Sequence, residues 1–215
     1  MYSFERVGHR IAVVIVTAVL GVSCASRSAA PGPRVVQPGA PGEPSRVRGA
    51  DPPATIKYTT ADVKFMQGMI GHHAQALEMT ALLPSRTAQD PMKLLARRID
   101  VSQTDEIRMM QRWLEARGLE APSVHAHHVA GATLMPGMLT PEEMTRLAEA
   151  KGAVFDRLFL ELMIKHHEGA LVMVRTLFSE SGAAQDSDIF AFASDVEADQ
   201  SMEIERMRGM LAAWR

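Results

Sequence analysis

Two stretches of the sequence decide the fold: FMQGMIGHHAQALEM at residues 65–79 and FLELMIKHHEGALVM at residues 159–173. Each carries a Met-Ile-x-His-His motif, and the equivalent residues share one offset of 94 positions. Apolar residues recur in both at intervals of three and four, which is the spacing of an amphipathic helix. We therefore predict that the same helix occurs twice in the chain.

A second pair of matching segments follows each of these helices. Residues 103–114 correspond to residues 200–211 at a constant offset of 97. The repeated unit is therefore a helical hairpin, which cannot bury its apolar faces alone. We predict an all-α four-helix bundle made of two duplicated hairpins, with repeats at about 60–118 and 153–215.

Capping residues and turn residues give the expected ends of the helices. The predicted helices run from Thr59 or Thr60 to Leu83, from Asp90 as N-cap to Gly118, from Thr140 to about Ser181 with a break near Gly152, and from near Ser187 to the C-terminus.

The N-terminal part of the chain has the pattern of an export signal. An apolar run at residues 11–22 follows two arginines and is too short to span a bilayer comfortably. It ends beside Cys24, which resembles the lipidated cysteine of a bacterial lipoprotein; ordinary secretion with cleavage a few residues later is the alternative. We predict a signal peptide at 1–23, a Pro/Gly/Ala-rich flexible tether at 24–57, and the metal-binding domain at 58–215. The expected location is the cell envelope, in the periplasm or on the outer surface of the cytoplasmic membrane.

Composition excludes several function classes. The 215 residues carry a formal net charge of -2. The chain therefore lacks the surplus of basic residues that would indicate nucleic acid as a partner. The single cysteine cannot form an intrachain disulfide or a thiolate cluster. Methionine is abundant, with 15 residues, which suits a helical core. The membrane, through the lipid anchor, and a metal ion are the expected partners, and the oligomeric state is left open.

Polar residues interrupt the inward stripe of every long helix. The His pairs lie on or beside the apolar stripe of the first and third helices, and Gln and Glu stand where apolar residues are expected in the second and fourth. A buried carboxylate needs a partner. With the first turn centred near residue 87 or 88, His72 and His73 fall level with Gln103, and Met69 with Glu106.

The second hairpin gives the equivalent arrangement. With its turn centred near residue 185, His166 and His167 fall between Gln200 and Glu203. Each half is thus predicted to hold a cluster of Met, His, Gln and Glu inside the bundle. Whether the two clusters form one site or two is left open.

These residue types favour copper. Neutral imidazole is a common metal ligand that suits Cu(II), and thioether sulfur selects Cu(I), so the expected ion is copper as Cu(I) or Cu(II). The predicted ligands and supporting residues are His72, His73, His166, His167, Met69, Met163, Glu106 and Glu203. The carboxylates would ligate directly or accept the second ring N–H of a ligating histidine. Zinc or iron is the alternative ion.

A second set of residues carries less weight as metal ligands. It comprises Gln103, Gln200, Met79, Met173 and the loop residues His125, His127, His128, Met135 and Met138. The loop is interpreted either as a mobile metal-capture segment or as an ordinary polar loop. Buried His–Glu hydrogen bonds can also be purely structural, and single helical methionines are more often core packing than ligands.

The motifs resemble those of the bacterial family known as domain of unknown function 305. The resemblance spans about residues 60–215 and rests on both Met-x-x-His-His segments, on MPGMLTPEEM at 135–144, and on QSMEIERM at 200–207. It implies a ferritin-like four-helix fold and export, and for some members copper binding and copper tolerance.

Three function classes follow from the sequence. Copper binding or buffering without catalysis is favoured, in copper tolerance or trafficking. A ferritin-like di-metal oxidase would need Glu-x-x-His motifs, and the domain contains none. A metal-free envelope interaction module is the third. The sequence shows no pairing of a nucleophile with a general base.

Overall fold

The computed structural model describes residues 58–126 and 134–214, together with two short strands nearer the N-terminus. The described domain is helical, which confirms the all-α prediction. Its helices are α1 (Thr60–Ala81), α2 (Leu83–Arg86), α3 (Asp90–Glu115), α4 (Pro141–Glu149), α5 (Gly152–Ser179) and α6 (Ser187–Ala213). The break predicted near Gly152 is present, since α4 and α5 are separate helices.

Side-chain caps fix where the helices begin. Thr59 caps α1 in a reciprocal pair with Asp62, and Thr140 caps α4 in the same way with Glu143. Asp186 accepts hydrogen bonds from two backbone N–H groups at the start of α6. The prediction for the second helix was off by one residue: Gln89 is the N-cap of α3, and Asp90 is its first helical residue. That helix also ends at Glu115, before the turn that contains Gly118.

The four long helices pack as two antiparallel hairpins. Within the first, α1 and α3 are joined by hydrogen bonds from His73 to Glu106 and from Thr80 to Asp100. Within the second, α5 and α6 are joined by the bond from His167 to Glu203. Helices α1 and α5 pack against each other and bring the hairpins together. None of the helices in the described part of the chain combines the length and apolarity that a membrane span needs.

The core consists of two apolar clusters rather than one. The first is built from residues 65–74, 107–114, 170–177 and 189–196 of the four long helices, and includes Met69. The second is built from residues 76–83, 92–99, 155–163 and 204–207, and includes Met163. Gln, Glu and His residues occupy the gap in α3, α5 and α6. We call the set between the clusters the polar layer, which is buried except at the partly exposed Glu106: His72, His73, Gln103, Glu106, His166, His167, Gln200 and Glu203.

Two short strands precede the helical domain in the sequence. Strand β1 (Val35–Gln37) pairs antiparallel with β2 (Arg46–Arg48). These strands could not be predicted from the sequence, because this stretch lacks the alternation of apolar and polar residues that indicates a strand. The signal peptide and Cys24 lie outside the described residues, and both remain predictions.

Candidate metal centre

The polar layer brings the two His pairs together at the middle of the bundle. The rings of His72 and His166 face each other across the α1/α5 contact, with centroids 3.8 Å apart and planes inclined by 39°. Each lies 6.2–6.3 Å from the ring of its own sequence neighbour. All four imidazoles are fully buried. The four histidines that the sequence placed in two clusters therefore lie in one layer.

Carboxylates hold the outer two imidazoles. Nε2 of His73 donates to Oε2 of Glu106 over 2.5 Å, and Nε2 of His167 donates to Oε2 of Glu203 over 2.7 Å. The register of the second hairpin is as predicted. The first is wrong by three residues, since His73 rather than Met69 lies level with Glu106. The short helix α2 adds a turn to the connection and moves its centre toward Gln89.

Backbone carbonyls hold the inner two imidazoles. Nε2 of His72 donates to the carbonyl oxygen of Pro136 over 3.1 Å, and Nε2 of His166 donates to the carbonyl oxygen of His72 over 3.0 Å. Carbonyl and carboxylate oxygens only accept, so Nε2 carries the proton in all four rings. In the neutral ring Nδ1 then keeps its lone pair.

The four Nδ1 atoms are the unusual feature of this layer. Each is buried, and none has a hydrogen-bond partner among the described residues. Buried polar atoms are almost always paired, so four unpaired ring nitrogens in one layer need a chemical explanation. Imidazole nitrogen with a free lone pair, its ring oriented through the other nitrogen, is the form in which histidine binds a metal.

Burial keeps the inner rings uncharged. Burial first, and then the neighbouring His73, lower the pKa of His72 to about 3, and the hydrogen bond to the Pro136 carbonyl opposes this shift only in part. The pKa of His166 also lies well below its ordinary value, again because of burial first and the nearby His72 second. Both rings therefore remain available as ligands in mildly acidic solution.

The glutamines of the layer are also unpartnered. Gln103 and Gln200 are 1% and 3% exposed, and neither amide atom of either side chain finds a hydrogen bond within the described residues. The amide oxygen of each can therefore ligate an ion or accept a hydrogen bond from water bound to that ion.

Most of the predicted methionines are core residues. Met69 and Met163 are fully buried in opposite apolar clusters, each one turn before its His pair. Met79 and Met173 follow the same alternation, Met79 in the second cluster and Met173 in the first. Their ligation of an ion stays a prediction.

No compact ligand cage is formed by the residues the structure describes. In that part of the chain, no three side chains of His, Cys, Asp or Glu are grouped so that they could hold one ion. An ion in the polar layer would therefore take at most two ligands from these types at the observed geometry, and thioether, amide or water ligands would complete the shell.

The predicted loop set divides into two parts. His127 and His128 lie outside the described residues, and His125 is exposed. Met135 and Met138 belong instead to a packed segment, residues 134–140, which we call the strap. Met138 is 5% exposed, so this part of the loop is neither polar nor loosely attached.

Backbone and side-chain contacts fix the strap across α1 and α5. Besides the Pro136–His72 bond, the amide of Gln75 pairs with both the N–H and the carbonyl of Leu139, at 2.7 and 2.9 Å. A β-carbon on Gly169 would lie 1.9 Å from the Pro136 oxygen, so only glycine permits this approach. Sequence reasoning missed the strap. Its one signal was the difference between Gln75 and Gly169 at equivalent positions of the repeat.

These features define a class: duplicated helical hairpins with a buried histidine layer and a strap over one face. The chain belongs to the DUF305 family, a domain of unknown function, whose model matches residues 62–211. This confirms the resemblance found in the sequence. No curated protein resembles the chain closely enough to count as a relative.

Solved structures share the fold. A DUF305 fragment from Deinococcus radiodurans is 31% identical with a TM-score of 0.63, covering 73% of this chain and 98% of its own. A DUF305 protein from Streptomyces coelicolor, a candidate secreted protein, is 29% identical with a TM-score of 0.62, covering 72% and 93%. CopM in its Cu(II)-bound form is 26% identical with a TM-score of 0.60, covering 72% and 97%.

Proposed function

We propose that this protein binds copper in the polar layer and acts as an extracytoplasmic copper-binding or copper-buffering protein without catalysis. The observation that carries the proposal is the set of four buried Nδ1 atoms that lack partners. The proposed ligands are His72, His73, His166 and His167 with Met69 and Met163, while Glu106 and Glu203 accept the Nε2 protons.

The donor set favours copper over the alternatives. Structural zinc takes four ligands in a tetrahedron, whereas the described residues offer no group of three from the types that zinc prefers. A di-iron oxidase needs several carboxylates around its ions, and the layer contributes one from each hairpin. Cu(I) is soft and accepts few ligands, so imidazole pairs with thioethers nearby suit it.

Charge compensation also favours a monovalent ion. A buried positive charge must be balanced by nearby negative charge. Each hairpin supplies one carboxylate to the layer, Glu203 at 5% exposure and Glu106 at 19%. One Cu(I) in each half would therefore be balanced, while divalent ions would leave excess charge in the interior.

The structural neighbours support the metal and the compartment. CopM has been solved with Cu(II), Cu(I) and silver bound, and silver is a soft mimic of Cu(I). The Streptomyces neighbour is a candidate secreted protein. Together with the export pattern of residues 1–24, this supports an exported lipoprotein attached to the membrane through Cys24, with its metal domain outside the cytoplasm.

A substitution that removes Nδ1 alone tests the proposal. Glutamine keeps an N–H donor near the position of Nε2 and lacks the Nδ1 lone pair. The quadruple variant with Gln at His72, His73, His166 and His167 should lose tight copper binding in competition titration against a copper chelator, while circular dichroism shows the parental helix content.

The matched control replaces the loop histidines His125, His127 and His128 by Gln. This variant should keep the parental affinity for copper. If it loses affinity while the quadruple variant keeps it, the loop carries the site and the polar layer is structural.

A further inference from the structure

The two seams of the bundle that join one hairpin to the other differ in how they are covered. The α1/α5 seam is closed by the strap, which is bonded to His72 and Gln75 and lies directly on Gly169. The α3/α6 seam contains an open groove of about 580 Å³, whose lining within the described part of the chain comes from α3, the turn after it, and α6.

The floor of this groove lies against a buried histidine of the polar layer. Glu106 and Phe192 both line the groove. Glu106 accepts the Nε2 proton of His73, and the Phe192 ring meets the His73 ring edge-on at 6.4 Å. His73 is fully buried and its Nδ1 has no partner in the described structure. Glu106 and Phe192 thus lie between the groove and the His73 ring.

The groove is strongly acidic. Five carboxylates line it, against the two guanidinium groups of Arg112 and Arg117. Arg117 forms an ion pair with Asp186, with its Nη2 2.7 Å from Oδ2 of Asp186. The lining carboxylates are Asp105, Glu106, Asp188, Asp195 and Asp199. Burial first, and then the nearby charges of Glu106 and Glu203, raise the pKa of Asp199.

The two carboxylates of the layer differ in access. The Glu106 side chain is 19% exposed and lines the groove. The Glu203 side chain is 5% exposed, and Nε of Arg98 lies 3.8 Å from its Oε1. A cation approaching the layer therefore meets an open carboxylate at Glu106 and a guanidinium beside Glu203.

We propose that the α3/α6 groove is the route by which copper ions enter and leave the polar layer, with the acidic rim concentrating cations and Glu106 receiving the ion at the floor. This inference rests on the proposed function. It adds a direction: metal enters on the side opposite the strap, through the first hairpin's carboxylate. A cleft lined by one sign of charge raises the local concentration of the opposite ion and speeds its association.

The test is the rate of metal uptake by the full chain. Aqueous Ag(I), a soft mimic of Cu(I), is mixed with protein in a stopped-flow instrument, and quenching of tryptophan fluorescence is followed, since Trp113 lines the same groove. The variant Asp195→Asn with Asp199→Asn neutralises two carboxylates of the groove. The control, Glu149→Gln with Glu161→Gln, makes the same change in total charge in a different groove, beside α4 and α5.

The groove variant should associate about tenfold more slowly at low ionic strength, and the difference should shrink as salt screens the field. The control should keep the parental rate. Equal rates in the parent and the groove variant would overturn the entry route, as would equal slowing in both variants, which would indicate net charge alone. A parent that binds no copper at equilibrium would instead overturn the proposed function and this inference with it.

Discussion

The imidazole rings of His72 and His166 lie 3.8 Å apart at the centre of the bundle, one from each repeat, and both are held as neutral rings. Two buried rings at this distance cannot both be protonated without strong repulsion. Each donates Nε2–H to a backbone carbonyl, and each leaves Nδ1 without a partner among the described residues. The pair is therefore fixed in the protonation state that suits a metal ligand.

The first prediction concerns acid sensitivity of the metal-free protein. The folded pKa of His72 is about 3, below the 6.5 of a free histidine, so the unfolded chain takes up its proton first as the pH falls. The stabilising contribution is fully present above pH 6.5 and is lost between 6.5 and about 3, by up to about 1.4 kcal/mol per pH unit.

Urea unfolding across that pH range measures this loss. His72→Gln cannot titrate, so its free energy of unfolding should fall less steeply with acidification than that of the parent. Groups remote from His72 titrate equally in both proteins and cancel in the difference, while the pKa of His166, which His72 lowers, moves back toward its ordinary value in the variant and changes the slope in the same direction. Parallel pH dependences would show that His72 is not buried as a neutral ring.

The second prediction compares two glycines in helices. Gly169→Ala would force a β-carbon into the Pro136 carbonyl, 1.9 Å away, so the strap or α5 must move. We expect a loss of about 1–3 kcal/mol in the free energy of unfolding. Gly209 lies at an exposed position of α6, and a β-carbon there would have no atom within 4 Å. Gly209→Ala should instead raise the free energy of unfolding by about 0.5–1 kcal/mol. Thermal or urea unfolding of both variants measures these changes, and the free energy of unfolding should fall for Gly169→Ala and rise for Gly209→Ala.

The sequence predicted the fold well because the repeat is a strong constraint. The constant offsets at Met69/Met163 and Gln103/Gln200 require two copies of one hairpin, and the capping residues Thr59 and Thr140 set the helix starts. The same reasoning identified the residues of the polar layer. It gave the wrong register for the first hairpin, because the extra turn of α2 leaves no periodic signal in four residues.

Other parts of the site have no signal in the sequence. The acceptor for His72 is the backbone carbonyl of Pro136, and a carbonyl is present in every residue. The strap depends on a close approach at Gly169, which only the packed structure reveals. The free state of Nδ1 is equally invisible in the sequence, since it depends on which ring nitrogen is bonded. The residues of the candidate site could therefore be predicted from the sequence, but their geometry could be seen only in the structure.

The third prediction concerns membrane attachment. The short apolar run and Cys24 predict that the mature chain is anchored by lipid. Cys24→Ala should shift the protein from the membrane fraction to the soluble envelope fraction, or leave it with its signal uncleaved. Cell fractionation with immunodetection measures the distribution. Membrane association equal to that of the parent, with normal processing, would contradict the lipoprotein prediction.

The fourth prediction concerns the carboxylate that orients His73. Glu106→Gln keeps the shape of the side chain and weakens the acceptor for Nε2–H, at present 2.5 Å away. Loss of such a supporting carboxylate typically weakens metal binding by about 10–100-fold. Competition titration should show that loss with helix content unchanged. Glu205→Gln is the control, because Glu205 is exposed and paired only with Arg208 in the described structure; its copper affinity should equal that of the parent.

The last prediction separates stability from function at the buried glutamines. Gln103 is buried with both amide atoms unpartnered in the described residues, whereas Gln75 is equally buried and bonded to both backbone groups of Leu139. An unpaired buried polar group costs about 1–3 kcal/mol, so Gln103→Met should raise the free energy of unfolding of the metal-free protein. Gln75→Met removes two hydrogen bonds and leaves the N–H and carbonyl of Leu139 without partners. This variant should therefore lower the free energy of unfolding by a similar amount. Urea unfolding of the two variants should therefore give opposite signs. If the open amide of Gln103 is retained for an ion or its bound water, Gln103→Met should also weaken copper binding. A variant that gains stability and keeps parental affinity would show that this amide takes no part in the site.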